Sequence, residues 1–291
     1  MTIVVGYPPN RRGKAVLNLA ALLSRSSGDD LLVCTVAPPR WLPGVVREDA
    51  AYQQQIDDMT DGALAQARAE LPADVTAEFT TVKARSTPTG LLEVAERHQA
   101  SLIAVGSSAA GLFGRISMSS VADRLLHSSP IPIALAPRGF RSDDTAKVDR
   151  VTVAYTGTEQ CDSLLRSAAD LVDQLHTKMR LASFAVQPAP PVTAMFRAES
   201  ADVLAEWTAT IEAAARRVLG DMKDPDAGVA IGQGHDWETA LDDITWHEGD
   251  LLLIGSSESG PVARVFLGSR AAKIIRHTPV PVLVVPRDAE S

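Results

Sequence analysis

Residues 102–138, "LIAVGSSAAGLFGRISMSSVADRLLHSSPIPIALAPR", and residues 251–287, "LLLIGSSESGPVARVFLGSRAAKIIRHTPVPVLVVPR", align without a gap at a shift of 149 positions. About a dozen positions are identical, among them Gly106/Gly255, Gly111/Gly260, Arg115/Arg264, Pro130/Pro279 and Pro132/Pro281. A period that is one domain long marks a duplication, where a solenoid would repeat every few tens of residues. Any fold for this chain must therefore use one pattern twice.

That pattern alternates strands and helices. In the first half "TIVVGY", "DLLVCTVA", "VTAEFTTV", "SLIAVG" and "IPIALAP" are apolar, β-rich runs. Between them lie "GKAVLNLAALLSRSS", residues 48–71, "PTGLLEVAERHQA" and "SVADRLLHSS", each with helical spacing. The second half repeats the order from "RVTVAYT" to "VPVLVVP", with "WETALDDITWH" as its third helix. Strands that are apolar throughout and separated by helices imply a parallel sheet covered on both faces. The expectation is two tandem doubly wound α/β domains, each a five-stranded parallel sheet flanked by helices. They span residues 1–138 and 149–291, and the polar run 139–148 is the linker.

Composition narrows the function. Residues 1–139 hold 13 Lys+Arg and 13 Asp+Glu, so the net −8 lies wholly in residues 140–291, which hold 15 and 23. Neither half offers the basic surface that nucleic acid requires. No apolar run reaches the roughly 20 residues of a membrane span, and the opening residues lack the apolar core of a signal peptide. Cys34 and Cys161 sit in unrelated contexts and form neither a disulfide framework nor a metal knuckle. These features point to a cytoplasmic location.

Ligands of doubly wound sheets bind beyond the carboxyl ends of the strands, where strand order reverses. Gly255 and Ser256 end the fourth strand of the second half, Gly260 follows, and Gly268-Ser269 opens the next helix. Free N–H groups at a helix start favour phosphate, and glycine lets the backbone approach it. The same spacing also fits a turn that holds nothing, with Ser269 as a plain cap. In the first half Ala109 and Ser119-Ser120 occupy the corresponding places. Other candidates are weaker. "GYPPNRRGKA" has six residues between its glycines and lacks the hydroxyl of a phosphate loop. "GQGHDW" is a turn. Residues 235–250 read as a solvated acidic helix face. Arg270, Lys273 and Arg276 form the wet face of the last helix, with Arg270 within reach of a phosphate.

Together the glycine loop and the closing "HTPVPVLVVP" resemble the universal stress protein family, in tandem and nearly end to end. The resemblance implies an adenine nucleotide alpha hydrolase-like fold and adenine nucleotide (ATP, ADP or AMP) as the ligand class. It places phosphates at Gly255, Ser256, Gly260, Gly268, Ser269 and Arg270, and the adenine side near Thr156 and Val186. Its members that bind nucleotide carry an aspartate at the end of the first strand. Here Thr156 and Pro8 stand in its place.

Without that carboxylate neither half offers an obvious metal ligand, and no catalytic set or metal site can be assembled. The expectation is a non-enzymatic stress-response and signalling module. Its nucleotide binding is weak or absent and confined to the second half. The first half serves as a structural partner, making a pseudo-dimer within the chain. The resemblance also implies homodimers and an unidentified protein partner. A slow ATP hydrolase is the alternative.

Overall fold

The computed structural model describes residues 1–10, 13–39, 48–108, 110, 112–157, 161–187, 197–221, 228–256 and 268–286. Strands β1 (Thr2–Gly6), β2 (Asp30–Ala37), β3 (Ala77–Lys83), β4 (Leu102–Gly106) and β5 (Ile133–Ala136) belong to the first half. Helices α1 (Lys14–Ser27), α2 (Glu48–Glu70), α3 (Thr87–Arg97) and α4 (Ser120–Leu125) connect them. The second half repeats the order with β6 (Arg150–Ala154), α5 (Cys161–Leu175), β7 (Lys178–Val186), α6 (Arg197–Asp221) and β8 (Gly228–Gly234). It closes with α7 (Trp237–Asp242), β9 (Asp250–Gly255), α8 (Ser269–His277) and β10 (Val282–Val285).

All ten strands form one sheet, in the order β3-β2-β1-β4-β5-β10-β9-β6-β7-β8. Pairing within each half is parallel. Only β5 and β10 run antiparallel, with Leu283 opposite Ala134 and Val282 opposite Leu135. Under the repeat shift the Ala134–Leu283 pair maps onto itself, and Val282–Leu135 maps onto Val284–Ile133. The junction register is thus its own image, and the halves are related by a pseudo-twofold axis through it.

Two apolar layers cover the sheet. One gathers residues of α1, α2, α5 and α6, and the other residues of α3, α4, α7 and α8. Each layer crosses the junction, so one core serves both halves. The central strands are apolar on both faces because both are buried, as the sequence requires.

Local chemistry sets the helix limits. α1 stops where Gly28 adopts φ +75 and its N–H returns to the Ser24 carbonyl. Ser86 caps α3, with Pro88 in its first turn. Asp236 and Thr239 form a reciprocal capping box on α7. Two expected helices are shorter than their periodicity suggests. α4 ends at Leu125, and α7 ends at Asp242 because the indole of Trp246 turns back to donate to the Leu241 carbonyl at 2.7 Å.

The polar run after β5 is packed against α1. Asn18 Nδ2 donates to the Phe140 carbonyl at 2.9 Å, and the Val148 N–H donates to Ser26 Oγ at 2.8 Å. Phe140, Ala146 and Val148 all contribute to the core layer.

Candidate functional site

In each half the strand order reverses between the first and fourth strands, opening a crevice at their carboxyl ends. In the first half Gly6 leads into Tyr7, whose N–H donates to the Cys34 carbonyl while its own carbonyl accepts from Thr35 Oγ1. Tyr7 is thereby buried and fixed. Gly13 is needed beside it, because a Cβ there would lie 2.3 Å from the Tyr7 ring.

On the other wall Ser107 donates to the Ala136 carbonyl through both N–H and Oγ, and the Ser108 N–H donates to Ser117. Between the walls is a cavity of about 620 Å³, within the usual range for small-molecule sites. Among the described residues its lining includes Tyr7, Pro8, Asn10, Ser107, Ser108 and Ser119, with Arg138 as the one charged side chain. The serine hydroxyls, the amide and the guanidinium suit an anion. No carboxylate for holding a metal or orienting water is among the described lining groups.

The second half places Thr156 just past β6, Val186 at the end of β7 and Gly255-Ser256 at the end of β9. All four lie at the carboxyl ends of three adjacent strands, β9, β6 and β7. Gly268 is the N-cap of α8, Ser269 its first residue, and Arg270 is exposed beside it. Gly260 lies outside the described residues.

The two crevices differ at two matched points. A Cβ on Gly106 would meet nothing nearer than Val16 at 3.8 Å, whereas one on Gly255 would lie 3.3 Å from Leu164, the counterpart of Val16. The Ser119 hydroxyl accepts the Ala122 N–H at 3.1 Å, while Gly268 offers its helix no side-chain cap. So the first crevice is open but its helix start is self-capped. The second is tighter at Gly255 but its helix start has no side-chain cap.

Sequence reasoning passed over Arg115, although its identity with Arg264 was a visible signal. From the loop after β4, Arg115 Nη2 donates to both Asp242 carboxylate oxygens at 3.0 Å, and Nη1 to the His277 carbonyl at 2.7 Å. Its backbone pairs with Arg138 at the cavity. The loop beside the first crevice is therefore clamped to the second half. Ser107, Ser108 and Arg138 were also missed, since hydroxyls and a lone arginine at strand ends carry no distinctive spacing.

The acidic stretch 235–250 is only partly a solvated face. Asp236 caps α7, and its carboxyl is held below the usual range chiefly by the Thr239 backbone N–H. Asp242 receives Arg115. Asp250 is buried, accepting from Arg150 Nε at 3.0 Å and Nη2 at 2.6 Å. Beside it Arg180 is also buried, donating to Thr152 Oγ1 and the Thr245 carbonyl and lying over the Trp246 ring. Burial, reinforced by the nearby Arg150 charge, pulls the Arg180 guanidinium down to about 10. Among the described residues no group of three or more His, Cys, Asp and Glu is placed to hold a metal. No described helix is long and apolar enough to cross a membrane.

The universal stress protein family model matches residues 1–137 and again 147–286. The chain belongs to the universal stress protein family. Universal stress proteins of Mycobacterium bovis and Mycobacterium tuberculosis are each 34% identical to it over 294 residues, covering 98% of this chain and all of the relative. A universal stress protein structure from Archaeoglobus fulgidus overlays on this family member with a TM-score of 0.59 at 20% identity, covering 98% of each chain. One from Pseudomonas aeruginosa overlays with a TM-score of 0.56 at 15% identity, covering 99% of this chain and 93% of its own. At such identities the overlays speak for the fold alone.

Proposed function

We propose that this universal stress protein is a non-enzymatic, cytoplasmic stress-response module that reversibly holds a small anion-bearing ligand of the adenine-nucleotide class. The observation that carries this reading is the first-half cavity, with hydroxyls at Ser107, Ser108 and Ser119 and a guanidinium at Arg138. Its position beyond the carboxyl ends of β1 and β4 is where doubly wound sheets bind nucleotides. Pro8 in place of a carboxylate supports holding without turnover, because hydrolysis needs a positioned water and usually a carboxylate-bound metal. Few charged contacts favour micromolar-to-millimolar affinity, about −8 to −4 kcal/mol.

A second reading puts the phosphates at Gly255, Ser256, Gly260, Gly268, Ser269 and Arg270, with the adenine near Thr156 and Val186. The start of α8 at Gly268 favours it, since the N-cap glycine has no side chain to compete for the helix N–H groups.

Calorimetric titration of ATP, ADP and AMP separates the two readings. Gly106→Leu adds a side chain at a position where the nearest described atom to a Cβ is Val16 at 3.8 Å, and it projects into the first cavity. The expected outcome is loss of binding in Gly106→Leu, retention in Gly268→Val, and phosphate release at background in both. Loss in Gly268→Val alone selects the second half. Binding unchanged in both variants defeats both readings.

A further inference from the structure

A second space lies at the seam between the halves. It has a volume of about 320 Å³, and Leu23, Leu102, Leu171, Leu175, Leu283 and Val285 supply its apolar wall. Asp29, Asp170 and Gln174 bring polar groups to its rim. It sits between α1 and α5, beneath the start of β1 and beside the end of β10.

The pseudo-twofold axis says what such a groove accommodates. Rotation about it exchanges α1 with α5, pairing Asn18 with Arg166, Leu22 with Asp170, Arg25 with Asp173 and Ser26 with Gln174 (a shift of 148). On the α1 side the equivalent groove is filled by the linker. Asn18 donates to the Phe140 carbonyl, Ser26 accepts from the Val148 N–H, and Asn18, Leu22 and Ser26 are all buried. On the α5 side Arg166, Asp170, Asp173 and Gln174 are all exposed.

The α5 stripe keeps the backbone-reading chemistry. Arg166 is a donor where Asn18 donates, and Gln174 offers an acceptor where Ser26 accepts. What differs is charge. Asp170, at the groove, and Asp173, beside it on α5, replace Leu22 and Arg25, while Asp29 at the floor is already paired with the Met1 ammonium. Residues 287–291, "RDAES", lie outside the described residues and carry no bulky apolar side chain.

We propose that the seam groove between α1 and α5 docks an extended segment of a partner protein. That segment carries an apolar anchor and basic residues, and lies as the linker lies in the twofold-related groove. Its anchor takes the position of Phe140, its backbone bonds to Arg166 and Gln174, and its basic side chains face Asp170 and Asp173. This does not depend on the ligand reading above, because no residue is shared with the nucleotide cavity.

The test uses the full chain and a fluorescent synthetic peptide of linker residues 139–148 carrying Asp143→Lys and Asp144→Lys. Anisotropy should give saturable micromolar binding. The unchanged linker peptide, and the basic peptide with Phe140→Ala, should each bind about tenfold more weakly or worse. In the protein, Asp170→Lys with Asp173→Lys should weaken the basic peptide by about tenfold or more and flatten its salt dependence. Both substitutions are on an exposed helix face, so the fold is retained. No saturable binding of the basic peptide overturns the proposal, and so does binding indifferent to the charge reversal. Saturable binding of phenethylamine at this groove, with none by the peptide, makes it a small-amine site and overturns it as well.

Discussion

At the amino ends of the strands the two halves solve one packing problem in opposite ways. In the first half Val4, Leu32 and Ser101 occupy three matched positions; in the second, Thr152, Arg180 and Asp250 do. Val4 and Leu32 are plain core. Thr152, Arg180 and Asp250 are equally buried but form a hydrogen-bonded ionic cluster with Arg150, and Arg180 Nη2, 3.8 Å from Asp250, has no hydrogen-bond partner among the described residues. The lesson is that backbone and register can be held constant while the interior exchanges hydrocarbon for charge, provided the charges change together. A buried ion pair is often no better than the hydrocarbon it replaces, yet removing one member leaves the other stranded.

That contrast is most exposed at Asp250. Asp250→Ala strands both Arg150 and Arg180 and should cost about 3–5 kcal/mol in urea unfolding. Ser101→Ala, at the matched position, removes a hydroxyl bonded to the Thr2 carbonyl and to Asp29, and should cost about 1 kcal/mol. Equal losses would mean that the second half's cluster is wetter and looser than its burial indicates.

The helix starts give a smaller contrast. Ser119→Ala should cost about 1 kcal/mol by loss of the cap on α4. Gly268→Ser should add a few tenths of a kcal/mol to the second half by supplying one. If Gly268→Ser instead destabilises the protein, the N–H groups at the start of α8 already have partners. Thermal unfolding reads both.

The smallest contrast concerns pH. Burial pushes the Cys34 thiol up to about 12, and its counterpart in the second half is Ala182. An unfolded thiol loses its proton near about pH 8.5. Above that value the folded state holds the extra proton, so stability falls as pH rises toward the folded value. Cys34→Ala should remove that part of the slope while changing stability little at neutral pH. A slope identical to the parent's would show that the thiol ionises freely in the folded state.

Much of this architecture was legible in the sequence. The ungapped repeat and the wholly apolar strands specify two parallel sheets, because only burial on both faces explains runs such as "LLLIG" and "VPVLVV". The carboxyl-edge placement of Gly255 and Ser256 followed from strand order, while Thr156 and Val186 were placed by the family resemblance. What escaped depended on contacts between distant segments. Asp250 looked like one more acid in an acidic run, since nothing local announces that Arg150 and Arg180 converge on it. The linker looked like a polar tether because its apolar members, Phe140, Ala146 and Val148, have no regular spacing. The open first crevice was hidden because a serine in place of glycine suggested obstruction. In the fold Ser119 turns its hydroxyl to its own helix, and the width at Gly106 is set by Val16, far away in sequence.

The self-imaging junction at Ala134 and Leu283 also has an evolutionary consequence. When two identical chains meet across such an axis, every substitution appears twice, and a change useful on one side is imposed on the other. Written as one polypeptide, the same meeting is intramolecular, and a short tether holds the partners at an effective concentration on the order of millimolar. Each side can then drift alone, because its partner is guaranteed and exchange with other copies is outcompeted. Among the described residues, the arginine–aspartate cluster, the open cavity and the linker-filled groove each occur on one side. That is the kind of difference a tethered pair can inherit position by position and a symmetric homodimer cannot.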